Sequence, residues 1–133
     1  MKMTPIGIIR SEFEESADPD EMKKEKSKVI VDDEYAEGLD KIEEYDYLKI
    51  VFHLHESGDY DLVGPRRYGG VRGVFASRSP HRPNPIGVTL VKLIERRQNE
   101  LIVEGLDAIE GTPLLDIKPY ADEIDSPREK FSP

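Results

Sequence analysis

Arginines interleaved with prolines mark the part of this chain suited to holding an anion. The run Ser77-Arg78-Ser79-Pro80-His81-Arg82-Pro83-Asn84-Pro85-Ile86-Gly87 sets three prolines among two arginines, a histidine and an asparagine. Proline fixes φ and pushes the preceding residue towards extended backbone, so a loop of this kind displays its donors with little entropy left to lose on binding. A guanidinium offers a planar fork that matches a carboxylate or a phosphate. A plain solvated turn needs fewer stiff residues, and it need not sit between apolar stretches such as Val74-Phe75-Ala76 and Ile86–Ile94. The charge pattern agrees. From Leu62 to Ile94 there is no Asp or Glu, and Arg66, Arg67, Arg72, Arg78, Arg82 and Lys92 give the window a formal +6. The whole chain is −9, so the residues outside the window sum to −15.

Other sets of residues are weaker candidates. His53 and His55 lie two apart on an extended segment, share a face, and with His81 are the ingredients of a three-histidine metal site. No Asp or Glu completes a familiar ligand spacing there, although Glu56 could turn inward. Polar side chains near a strand end are the simpler reading, and no metal is expected. Asp107 with Gly111-Thr112-Pro113, followed by Asp116-Ile117-Lys118-Pro119-Tyr120, makes a second polar constellation. Asp116 and Lys118 alternate with Ile117 and share a strand face, as part of a site or as a surface ion pair worth at most about 1 kcal/mol. Gly64-Pro65-Arg66-Arg67-Tyr68-Gly69-Gly70 lacks dinucleotide-loop or Walker spacing, and there is no Gly-x-Ser-x-Gly elbow.

The elements that must position these residues read as mostly β. Strands are expected at Ile6–Ile9 and Val29–Val31. Tyr47–His55 is a third, with Leu48, Ile50, Phe52 and Leu54 alternating against Lys49, Val51, His53 and His55. Ile86–Ile94 reads as a central strand apolar on both faces, Leu101–Leu106 pairs back after a turn at Asn99-Glu100, and Thr112–Ile117 is the last strand. The charged stretch Glu12–Lys28 and the segment Glu56–Arg72 read as loops. Asp32–Tyr45 has helical spacing through Tyr35, Leu39 and Ile42, with Asp32 and Asp33 as cap and acidic first turn. The tail from Ala121 is expected to be loosely held. This pattern predicts a closed or strongly curled β-barrel with one or two short helices, since closure removes exposed edges.

The 133 residues predict one domain spanning 1–133, with 35% charged and 37% hydrophobic residues. No apolar run approaches membrane-spanning length and no export signal is seen, so no membrane association and a cytoplasmic location are expected. The absence of cysteine excludes disulfides, thiolate metal sites and a cysteine nucleophile. The acidic balance argues against non-specific coating of nucleic acid, yet one basic face suffices for RNA.

The run Gly73–Gly87 resembles the hallmark motif of the TrmO (YaeB/TsaA-like) family. Glu110-Gly111-Thr112-Pro113-Leu114-Leu115-Asp116-Ile117-Lys118-Pro119-Tyr120 is similar to that family's second signature, and Ile6-Gly7-Ile8-Ile9-Arg10-Ser11 to its usual start. The resemblance implies a dimeric single-sheet barrel that binds S-adenosylmethionine and methylates the exocyclic adenine amine of threonylcarbamoyladenosine beside the tRNA anticodon. Carried onto this chain, it implies cofactor contacts from the strand end His55-Glu56, from Arg78 and Val88, and from Asp107, Gly111, Thr112 and Pro113. A sulfonium cofactor bearing a carboxylate and an amine suits arginine donors and an acidic partner. Methyl transfer is an in-line displacement, which rewards alignment and water exclusion. The amine becomes acidic only as the methyl arrives, so a base is useful late. Asp116 and His81 are put first, with His55 a further candidate. Arg66, Arg67, Arg72 and Arg82 are expected to hold the tRNA backbone or the threonylcarbamoyl carboxylate, with Asn84, Lys118 and Tyr120 completing the substrate surface.

Three departures stand out. The family's Pro-Arg-Gln element has no match in Met22-Lys23-Lys24-Glu25-Lys26, and its Arg-Pro-Pro-Arg reads Gly64-Pro65-Arg66-Arg67 here. Nothing within these residues corresponds to the additional C-terminal domain of longer members. The first departure motivates a rival expectation, a cofactor-binding module without methyl transfer, acting as a sensor or partner protein. A weaker rival is a metal-dependent hydrolase on His53, His55 and His81.

Overall fold

Strands form where branched and aromatic side chains alternate with polar ones, because such a segment can bury one face and wet the other. A computed structural model describes residues 1–15 and 17–132. Ser16, inside the stretch expected as a loop, and Pro133, at the end of the tail, lie outside the described residues. The strands are β1 (Gly7–Arg10), β2 (Lys26–Val31), β3 (Tyr47–His53), β4 (Val63–Pro65), β5 (Val71–Gly73), β6 (Ile86–Arg97), β7 (Glu100–Glu104) and β8 (Thr112–Pro119). Six of them close into an antiparallel barrel in the order β1-β2-β7-β6-β3-β8, and β4 pairs with β5 as a separate arm. The closing pair is β1 with β8, registering Gly7 on Leu114 and Ile9 on Thr112.

The barrel is filled by its inward residues. Ile9, Val29, Leu48, Ile50, Leu101, Val103 and Leu114 are fully buried in one cluster, to which Leu39, Leu106 and Ala108 also belong. On β3 the alternation expected from the sequence is present: Leu48, Ile50 and Phe52 face inward, and Tyr47 and His53 face solvent.

Several expectations are corrected. Residues 32–45 are helical, but as two 3-10 segments, Asp33–Leu39 and Ile42–Glu44, interrupted where Lys41 takes φ 68°. Only Leu39 in them is buried, so a longer α-helix would have no apolar stripe to pack. The charged stretch 12–28 ends in strand, since β2 starts at Lys26 and turns Ser27 inward, and it carries a short helix α1 (Pro19–Met22). Residues 56–72 contain β4 and most of β5, which pair as an arm. Strand β6 is covered on one side only: Val91 is buried, but Leu90 is 51% and Ile94 39% exposed. A single-layer barrel leaves its outer wall open, which periodicity along one strand does not reveal.

The tail forms α2 (Asp122–Asp125) and α3 (Pro127–Lys130), and Asp125 ties it to the wall. One carboxylate oxygen accepts from Lys49 Nζ on β3 at 2.5 Å and the other from the Ala121 amide at 2.9 Å. That Lys49 bond, with the amide second, holds the Asp125 carboxyl below the usual range. Among the described residues no helix is long and apolar enough to cross a membrane.

Candidate functional site

Antiparallel closure decides which connections meet. The ends of β1, β3 and β7 and the starts of β2, β6 and β8 lie at one end of the barrel, as the pairs Arg10–Lys28, Lys26–Glu104, His53–Ile86 and Ile9–Thr112 require. Three connections therefore share that end: residues 11–25, 54–85 and 105–111. The cationic window and the Asp107–Gly111 segment, far apart in sequence, are delivered to one place.

The arginine loop is cross-linked from within. Arg82 Nη1 donates to the carbonyls of Ser77 and Ser79 at 3.2 and 3.1 Å, and Ser77 Oγ donates to the Val74 carbonyl at 2.9 Å. Its far end is pinned just past β3, where the Leu54 amide donates to the Pro85 carbonyl at 2.8 Å. Where the loop enters β6, Gly87 packs against Phe52, and a Cβ there would lie 2.5 Å from the ring. Arg78 reaches along β6 and donates from Nη2 to the Val88 carbonyl at 2.6 Å, leaving the rest of its fork exposed to solvent.

Opposite charge lies on the neighbouring connection. Asp107 is half-buried, and its Oδ1 accepts from Thr89 Oγ1 on β6 at 2.6 Å, which fixes the carboxylate and leaves Oδ2 open. Thr89 carries no motif signal. It is found only once the fold brings Asp107, on the 105–111 connection, against β6. Gly111, at φ 80°, donates its amide to the Ile9 carbonyl, and buried Thr112 donates its hydroxyl to the Ile109 carbonyl at 2.7 Å. Pro113 registers on Ile8 in the β1–β8 pair. These bonds seat the start of β8. Glu110 joins this connection to the first, accepting from the Ser11 amide at 3.1 Å and facing Arg10 at 3.6 Å.

The other candidates are more dispersed. His55 and Glu56 are exposed just past β3 at the same barrel end. Asn84 is exposed in the arginine loop. His81 Nδ1 accepts from the Gly58 amide at 2.9 Å, so its neutral ring carries the proton on Nε2 and has no free lone pair. Arg66 donates to the carbonyls of Asp61 and Arg72, and Arg72 to those of Gly69 and Ala76, while Arg67 pairs with Asp18 at 3.2 Å. Asp116 lies down the wall, abreast of Val51 and Val88 on adjacent strands, and pairs with Lys118 at 3.0 Å. Together with Met3, Thr4, Val51 and Leu115 they line a shallow cavity of about 350 Å³. Tyr120 sits at the opposite end of β3, edge-on to Tyr47 with ring centroids 6.4 Å apart, and Asp122 raises its hydroxyl pKa by hydrogen bonding. Among the described residues no group of three or more His, Asp or Glu side chains is disposed to hold a metal ion, so the three histidines do not assemble.

An exposed guanidinium and a threonine-fixed carboxylate thus lie at one end of a closed barrel. The chain belongs to the family of tRNA-methyltransferase O N-terminal domains, whose model matches residues 8–126. The TrmO crystal structure from Pseudomonas aeruginosa superposes with a TM-score of 0.76 at 30% identity, over 95% of this chain and 58% of that one. An S-adenosyl-L-methionine-binding protein of Archaeoglobus fulgidus is 40% identical over 94% of this chain and 93% of its own length. A probable S-adenosyl-L-methionine-binding protein of Pyrococcus abyssi is 44% identical over 91% of this chain and 68% of its own. The human tRNA (adenine(37)-N6)-methyltransferase is 43% identical over 69% of this chain, which matches 22% of that protein. The chain thus spans about the length of some relatives and a fraction of others.

Proposed function

We propose that this chain is an S-adenosylmethionine-dependent methyltransferase acting on tRNA, with the exocyclic amine of threonylcarbamoyladenosine beside the anticodon as acceptor. The observation that carries the reading is the juxtaposition of the Arg78 loop with Thr89-fixed Asp107 at one barrel end. The donor set fits the cofactor: Arg78 for its carboxylate and Asp107 Oδ2 for its ammonium, with His55, Glu56, Val88, Gly111, Thr112 and Pro113 as the surrounding frame. When bound, S-adenosylmethionine supplies an electrophilic methyl group on a sulfonium. The residues supply alignment and a low-water setting, which accounts for much of the acceleration in a displacement.

A proton acceptor is needed only late. His81 is engaged through Nδ1 and serves better as a clasp between residues 58 and 81. Asp116, level with Val88 two strands away, is the acceptor we assign. Asn84 and the half-exposed Arg67 face the acceptor RNA in this reading, Arg82 holds the loop from within, Lys118 lies further along β8 and Tyr120 just past its end.

We further read the protein as a cytoplasmic homodimer, with the exposed apolar residues Leu90 and Ile94 on the outer wall of β6 as the contact. A monomer mass in light scattering at micromolar concentration rejects the dimer.

Calorimetric titration with S-adenosylmethionine and S-adenosylhomocysteine tests the cofactor, and transfer of radiolabelled methyl to a tRNA pool tests the activity. No heat with either compound rejects the reading. Binding without transfer to any tRNA selects a cofactor-binding module, a reading favoured by the absence of Pro-Arg-Gln near Met22–Lys26.

A further inference from the structure

We propose that Tyr68 and Phe75 form a stacking platform for unpaired RNA bases flanking the reacting nucleotide, an inference that rests on the tRNA reading above. The two rings are among the most exposed apolar groups of the protein, 70% and 77% accessible, within the window that contains no acidic residue. One guanidinium holds the turns that bear them. Arg72 Nε donates to the Gly69 carbonyl at 3.2 Å and Nη1 to the Ala76 carbonyl at 3.4 Å, each next in sequence to a ring. Gly69 at φ 83° admits this arrangement, since a Cβ there would lie 2.4 Å from the guanidinium.

Arg66 stiffens the arm from its other side through the carbonyls of Asp61 and Arg72, at 2.8 and 3.1 Å. Arg66 and Arg72 are thus spent on the arm itself and act as positioning residues. Arg67 differs: it pairs with Asp18 at 3.2 Å yet remains half-exposed, and its guanidinium lies 5.4 Å from the Tyr68 ring centroid. Rigid exposed rings beside a cation, in a cationic segment, are what unpaired bases need, because every base offers a π-face and a neighbouring phosphate. A paired duplex offers no open faces. Phe75 is three residues before Arg78, so a stacked base would lie beside the cofactor loop.

The test is fluorescence anisotropy with a fluorescein-labelled RNA stem–loop and, separately, a fully paired RNA duplex, at fixed salt with S-adenosylmethionine present. Tyr68→Leu and Phe75→Leu should each weaken stem–loop binding about tenfold and leave duplex binding unchanged. Tyr68→Phe should retain full affinity, and calorimetric affinity for S-adenosylmethionine should be the same in all variants. The solution mass should not change either. Stem–loop binding by the double Leu variant equal to that of the unmutated protein overturns the platform and leaves the tRNA reading standing. Dissociation of an oligomer by either Leu substitution also overturns it, making the rings a subunit contact. Failure of the unmutated protein to bind the stem–loop removes both readings.

Discussion

Arg78 and Asp107 carry opposite charges to one barrel end, and each is fixed by a single partner on β6. Replacing Arg78 with Ala removes a charge-assisted bond and should weaken S-adenosylmethionine binding by about 1.5–3 kcal/mol, measured by calorimetry. Unchanged affinity would show that the loop is not the clamp. Thr89→Val keeps shape and deletes the hydroxyl, which frees Asp107 to rotate. An affinity loss of about 0.5–1.5 kcal/mol is expected, with Thr89→Ser close to the unmutated protein. Asp116→Asn should lower the methylation rate by about tenfold or more with little change in cofactor affinity. An unaltered rate would mean that solvent takes the proton.

At the scale of elements, the arginine loop depends on its junction with β6. Gly87→Ala forces a methyl against the Phe52 ring and should cost about 1–3 kcal/mol in denaturant unfolding. The C-terminal helices depend on the Lys49–Asp125 bond. Because Asp125 titrates lower folded than unfolded, its contribution is full above the ordinary carboxylate range and is lost as pH falls through the depressed folded value. Acidification through that depressed value should therefore release residues 121–132 from β3. Hydrogen exchange at the Ala121 amide would report it, and Asp125→Asn should expose that amide at neutral pH.

At the scale of the molecule, closure makes the barrel one cooperative unit, because every strand in it has two partners. Leu48, fully buried in the cluster, should cost about 2–5 kcal/mol as Leu48→Ala and loosen all six strands together. A transition that splits by probe would contradict the single core. Closure also places the three connections that would hold the proposed site, so a core cavity should lower cofactor affinity only through loss of folded protein.

Much of this was legible in the sequence, for local reasons. Alternation on Tyr47–His53 set its inward face, the Pro-Arg run marked a stiff donor loop, and the hallmark motifs pointed to the family. Local chemistry says less where its outcome depends on what lies opposite. Residues 32–45 have helical spacing but too little to bury, and β6 is apolar on a face that the single-layer barrel leaves open. Arg66 and Arg72 look like ligand donors until the fold brings carbonyls to them, and His81 looks like a base until Gly58 occupies its lone pair. Thr89 is invisible until the fold sets Asp107 against it. Residue type and spacing determined the donors and the strands; only tertiary structure decided which donors stay free, because a hydrogen bond is committed by whichever partner closure brings within reach.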